Sequence, residues 1–148
     1  MSGTAAVPEG YREFRRANSR FLSSLGTLYA KGEGTGIAIG LRIEERHLNT
    51  RGVAHGGMLM TLADSALGIA IAMARTPPTP MVTVNLTADF ADVAREGDWV
   101  EARVDVQKLG KRFAFATCYL WVGDKRILRA SGVFAAFPAG GGEGSPES

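Results

Sequence analysis

The chain has 148 residues, a formal net charge of +2, 45% hydrophobic residues and 22% charged residues. That length suits one domain with a sizeable core, and the composition excludes a disordered chain. The small charge, spread over no single face and nowhere alternating with aromatics, excludes a nucleic-acid groove.

In chain order, residues 1–8 are small and polar and read as a flexible N-terminus. No basic region followed by an apolar stretch marks a signal peptide, so the cytoplasm is the expected location. From Glu9 to Leu25, Tyr11, Phe14, Phe21, Leu22 and Leu25 recur at near-helical spacing and predict an amphipathic N-terminal helix. "GTGIAIGLRIEE" reads as a strand and "RHLNTRGVAHGG" as a loop that leads into a long apolar helix from about Gly57 to Ala74. A charge at the centre of a membrane helix costs about 2.5–3.5 kcal/mol, so Asp64 makes this a buried soluble helix and no membrane partner is expected. The prolines of "RTPPTP" end it.

Four strands follow. In "MVTVNLTADF" the alternation puts Val82, Val84, Leu86, Ala88 and Phe90 on one face, with Thr83, Asn85, Thr87 and Asp89 on the other. "REGD", "GKR" and "GDKR" turn between "WVEARVDVQKL", "FAFATCYLWV" and "ILRASGVFAAF". The single cysteine, Cys118, has no internal disulfide partner and reads as a small buried hydrophobe. The Gly-rich tail, residues 138–148, is expected to be disordered, which leaves one domain over 9–137. A run of strands after a helix predicts α+β with an antiparallel sheet. A helix apolar nearly all round predicts that the sheet wraps it and that a second copy of the chain covers the remaining side.

The pattern His47-Leu-Asn49-x-x-Gly52-x-x-His55-Gly56-Gly57, followed by Asp64 within "LADSA", resembles the hot-dog-fold thioesterases of the phenylacetyl-CoA (PaaI-like) group. The similarity continues through the proline-bearing connection, "VTVNLTADF", "KLGKRFAFATCYLW" and "RASGVF", roughly residues 20–137. It implies a hot-dog homodimer, often paired into a homotetramer, that hydrolyses acyl-CoA thioesters without metal or other cofactor.

The chemistry of the residues points the same way. Thioester hydrolysis needs a group that polarises the carbonyl and a group that activates water or attacks directly. The first amides of a helix lack internal partners and sit at the positive end of the dipole, and the bare Gly56 and Gly57 let a carbonyl approach the Gly57 N–H. One such donor is worth about 2.7–4 kcal/mol in the transition state. The plainer reading is that the glycines only turn the loop into the helix.

Asp64 lies seven residues after Gly57, on the same helix face but about 10 Å along the axis. If both groups act on one carbonyl, they must come from two subunits whose helices run antiparallel about a two-fold axis. Asp64 is then a general base or a nucleophile; its plainer reading is a carboxylate paired with Arg or Lys. Asn49 is placed to hold water or a substrate oxygen, or is a turn residue. His55 acts near the thioester or shapes the loop, and His47 supports Asn49. The resemblance implies a hydroxyl beside the carboxylate, which here is Thr83; a related hot-dog group has Glu on this helix with Thr four residues on, where this chain has Asp64 and Gly68. Arg95, Lys108, Lys111 and Arg112 offer cations for the CoA phosphates, or are solvated turn residues. Two other functions compete: a non-enzymatic acyl-CoA-binding module, and an acyl hydratase or dehydratase with His55 as base and Asp64 as acid.

Overall fold

A computed structural model describes residues 6–15 and 19–136. Seven strands form one sheet: β1 (Arg12–Phe14), β2 (Leu28–Lys31), β3 (Ala38–Arg42), β4 (Met81–Phe90), β5 (Trp99–Leu109), β6 (Phe113–Val122) and β7 (Lys125–Ala136). Two α-helices accompany them, α1 (Arg20–Ser23) and α2 (Gly56–Met73). The sheet order is β1-β2-β3-β5-β6-β7-β4, and every neighbouring pair is antiparallel. This is the α+β arrangement expected, with the long helix and the four strands after it where the hydrophobic patterning put them.

The sheet curls around α2 because α2 has so much to hide. Met58, Leu59, Leu62, Ala63, Ala66, Leu67, Ile69, Ala70 and Ile71 are all buried, and each large side chain among them contributes about 1.5–3 kcal/mol on leaving water. They meet Ile37, Ile39, Leu41, Val100, Ala102, Ala114, Ala116, Cys118, Leu120 and Phe134 in a single core. Cys118 is wholly buried, and burial pushes its thiol up to about 12, which fits the reading of it as a small core residue. By length and composition α2 also suits a membrane span, but half of it is buried inside the fold.

The N-terminal segment departs from expectation. In place of a helix over Glu9–Leu25 there is a strand, β1, and a one-turn helix, α1, capped by the Ser19 hydroxyl, which accepts from the Leu22 N–H. The cause is tertiary. β1 pairs with β2, a strand not foreseen, while the Tyr11 ring meets Trp99 edge-on at 5.0 Å and its hydroxyl donates to Glu101 at 3.1 Å. Such long-range contacts override a weak local periodicity. Residues 16–18, within the expected helix, lie outside the described residues, as do 1–5 of the N-terminus and the tail. Ala6 is described, and its carbonyl accepts from Arg42. Nearby, Gly34–Gly36 make a 3-10 turn where a strand was expected, and β3 begins only at Ala38.

The other departure lies in β4. The alternation across "MVTVNLTADF" is interrupted by a bulge: Thr83 pairs with Phe134 and Asn85 with Val133, so Val84 is extra. A bulge shifts the side-chain alternation by one residue. Leu86 and Ala88 therefore pack on the core as predicted, but so does Met81, and Val84 is turned out with 55% of its surface exposed. Thr83, expected on the face opposite the apolar residues, points at α2 instead.

The far side of the sheet is held by a close approach. A Cβ on Gly40 would lie 2.2 Å from Cζ2 of Trp99, whose indole is hemmed in by Tyr11, Tyr29 and Arg42. Gly40→Ala is therefore expected to destabilise the protein by roughly 1–3 kcal/mol, read as a lower urea midpoint at unchanged slope.

Candidate active site

The loop before α2 is braced from below by His47. Only 2% of His47 is exposed. Its Nδ1 accepts from the Glu44 N–H at 2.8 Å, and its Nε2 lies 2.7 Å from the Leu25 carbonyl, to which it donates. The His47 carbonyl in turn accepts from the His55 N–H at 2.8 Å. His47 thus fixes the entry to α2 by holding His55 and Leu25, and makes none of the expected contacts with the Asn49 side chain.

Asn49 closes the turn itself. Its Oδ1 accepts from the N–H groups of Arg51 and Val53 at 2.8 and 3.2 Å, a use of Asn that turns commonly make. The carbonyl half of the side chain is spent on the loop, and the amide half, Nδ2, has no acceptor among the described residues.

His55 is the N-cap of α2, and its Nδ1 accepts from the Gly57 N–H at 2.8 Å. The donor that the sequence assigns to a substrate carbonyl is thus engaged by a second candidate residue. The imidazole fits there because Gly57 is bare: a Cβ on Gly57 would lie 3.0 Å from Cε1 and 3.1 Å from Nδ1 of the ring. His55 and Gly57 are both exposed, so the ring has room to turn away. The Gly56 N–H has no acceptor among the described residues, and Phe90 of β4 lies against this glycine.

Further along α2, Asp64 is half-buried on the stripe the sheet leaves uncovered. Among the described residues no lysine or arginine pairs with it. Its partner is Thr83, whose Oγ1 donates to Oδ1 at 2.7 Å. That single bond is the consequence of the β4 bulge. It fixes the carboxylate and leaves Oδ2 without a hydrogen-bond partner among the described residues, so one oxygen is oriented and the other is open.

Two clefts open on this stripe. One, of about 290 Å³, holds Asp64 and Thr83 with Ser65, Gly68, Met81 and Phe134. The other, of about 420 Å³, holds His55 and Gly57 with His47, Leu48 and Met58. Thr61 and Phe21 border both, and Asn49 lines neither. The acid and the helix-end donor of one chain therefore face different clefts. Phe21 is 65% exposed; it and Ser19 and Leu22 of α1 are site residues that the sequence reading missed. The signal present was Ser19, an N-cap residue type two positions before the apolar pair Phe21-Leu22.

The cations divide between the two ends of α2, about 27 Å apart for eighteen residues. Arg95 is bridged to Val53, beside the loop that enters the helix. Lys108, Lys111 and Arg112 border the β5–β6 turn, and Arg75 at the far end of α2 ties that turn to the helix by donating to the Gly110 carbonyl at 2.7 Å.

A family model described as the thioesterase superfamily matches residues 51–128. The esterase-named protein PA0474 of Pseudomonas aeruginosa is 48% identical over 129 residues, 86% of this chain and 96% of that protein. Mouse acyl-coenzyme A thioesterase 13 is 32% identical over 77 residues, 52% of this chain and 54% of its own. The solved structure of a mutant of the phenylacetic acid degradation protein PaaI from Thermus thermophilus superposes with a TM-score of 0.70. That similarity is at 27% identity and covers 80% of this chain and all of that one.

The cap has a measurable consequence. His55→Ala removes the acceptor of the Gly57 N–H and is expected to lower stability by about 1 kcal/mol, a fall of about 2–4 °C in thermal midpoint. His55→Asn, which keeps a capping oxygen, should recover most of it.

Proposed function

The chain belongs to the thioesterase superfamily, with its hot-dog fold, and is a thioester hydrolase; on that premise we propose that its substrate is an acyl- or aryl-CoA thioester. The products are the free acid and CoA, and each site is shared by two subunits. The observation that carries this reading is Asp64: an otherwise apolar helix keeps a carboxylate with no cation partner, held by one hydroxyl at the mouth of a cleft.

The carbonyl of the thioester takes the Gly57 N–H, displacing His55 Nδ1 and exchanging one hydrogen bond for another. Helix-end amides stabilise the negative charge that develops on the carbonyl oxygen. Asp64 of the neighbouring subunit, oriented by its own Thr83, acts by one of two routes. As general base it takes a proton from water; the hydroxide oxygen bonds to the carbonyl carbon, the C–S bond breaks and CoA leaves as thiolate. As nucleophile its oxygen bonds to that carbon first, CoA leaves, and water then hydrolyses the mixed anhydride. A single turnover in ¹⁸O-labelled water tests for the nucleophile route: if water opens the anhydride at the Asp64 carboxyl carbon, the first acid released carries no ¹⁸O and Asp64 gains one, whereas the general-base route puts one ¹⁸O in the acid. Asn49 Nδ2 is the donor left over to hold the water or the substrate oxygen.

Two features support the shared site. Residues at α2's uncovered stripe, Gly57, Thr61, Asp64 and Ser65, are small or polar enough for another helix to approach. The neighbouring β4 is an unpaired sheet edge with Val84 and Phe90 exposed. A second copy that extends the sheet along β4 would lay its helix beside Asp64, and two such dimers would make the tetramer. Of the CoA phosphate contacts, Arg95 comes from the chain that supplies Gly57, and Lys108, Lys111 and Arg112 from its neighbour.

Purified protein offered a panel of acyl-CoAs should release free thiol; the buried Cys118 will not contribute to a thiol-reagent readout. Binding of CoA esters without thiol release from any of them would favour a non-enzymatic binding module. Asp64→Asn is expected to abolish turnover while ester binding persists, and wild-type rates in that variant would exclude Asp64 from the chemistry. Gly57→Pro removes the N–H at a position where a helix tolerates proline. Alone it should be inactive, but mixed subunits of Gly57→Pro and Asp64→Asn each rebuild one intact site per heterodimer. Recovery of roughly a quarter of wild-type activity is expected from random pairing, whereas a site contained in one chain gives none.

A further inference from the structure

Gly68 stands one turn beyond Asp64, about 6 Å along α2, in the middle of the helix. Glycine in a helix interior is destabilising relative to alanine, so its presence asks for a reason. Backbone geometry gives none, because Gly68 does not have a positive φ. Internal packing gives none either. A Cβ there would meet one atom within 4 Å, Cε2 of Phe134 at 3.4 Å, which is ordinary contact. Gly132 differs: its Cβ would lie 2.7 Å from Cε1 of Phe134 and 3.0 Å from Cδ1 of Leu67, so packing does require that glycine.

What the missing methyl at Gly68 leaves is open space, and the space belongs to the cleft of Asp64 and Thr83. Its lining combines the apolar Phe21, Leu22, Ile69, Met81 and Phe134 with the hydroxyls of Ser19, Thr61 and Ser65. An acyl group that runs from a carbonyl within reach of Asp64 toward these residues would pass Gly68, one turn along α2.

We propose that Gly68 is a specificity-determining residue, its bare backbone admitting acyl groups that are branched or ring-bearing at that depth. This rests on the reading of Asp64 as the group that acts on the thioester. The other occupant the geometry allows is the helix of a second copy, in which case Gly68 serves subunit packing.

The test compares kcat/KM for 3-methylbutanoyl-CoA and cyclohexylacetyl-CoA with that for acetyl-CoA, in wild type and in Gly68→Ala. Wild type is expected to favour the two bulky esters. Filling the space with one methyl group should lower the bulky-to-acetyl ratio about tenfold or more, the usual cost of one misplaced methylene in an apolar pocket. The thermal midpoint should rise or hold, and light scattering should show an unchanged assembly. An unchanged ratio, an equal loss on all three esters, or a change in assembly would overturn the proposal; the last would assign Gly68 to packing. Failure of wild type to hydrolyse any acyl-CoA would instead overturn the thioesterase reading on which it rests.

Discussion

An eighteen-residue helix whose only charge is Asp64 has to leave water over most of its circumference, and one sheet achieves that only by curling around it. Strands β4 to β7 are ten to twelve residues long and every neighbouring pair in the sheet is antiparallel, so the curl is continuous from β1 to β4. It does not close. The free edge at β4 and the uncovered stripe of α2 lie together, and the polar groups the helix carries, Thr61, Asp64 and Ser65, are on that stripe. The candidate site sits at the seam because the seam is where a carboxylate keeps contact with water while its flanks are dry.

Groups at the helix start do double duty. Nδ1 of His55 satisfies an amide that a helix leaves without a partner, and that amide is the one a carbonyl would seek. Oδ1 of Asn49 satisfies its own turn, leaving Nδ2 for a ligand. In each case the structural reading of the residue holds in the unliganded protein and leaves one polar atom, or one rotation of a ring, for chemistry. On the proposed function, the structural and catalytic roles of these residues would be successive states of the same hydrogen bonds.

How far the sequence could be read depended on the range of the interaction involved. The span of α2, the four strands after it and the turns between them follow from periodicities within a few residues, and the structure has them. The segment from Glu9 to Leu25 misled because its apolar residues answer to partners far along the chain. Tyr11 answers to Trp99 and Glu101, and β1 to β2; a near-helical spacing carries no trace of either. The bulge at Val84 was equally hidden. Strict alternation in "MVTVNLTADF" reads as one uninterrupted face, and only pairing with β7 shows which residue is passed over.

The sequence by itself determined the class of the fold and the long buried helix, and it named Gly57, Asp64, Asn49, His55 and Thr83 as candidates for chemistry. Spacing suffices for the helix and the strands because local period is a property of short segments, whereas the hydroxyl role of Thr83 follows only from the family resemblance. Tertiary structure alone decided what each of them touches. Pairing between β4 and β7 turned Thr83 onto Asp64, the loop held by His47 set His55 over Gly57, and the curl of the sheet put donor and acid of one chain in separate clefts. A hydrogen bond is made or lost over a few tenths of an ångström, and such distances between residues remote in sequence are set only when the whole core packs.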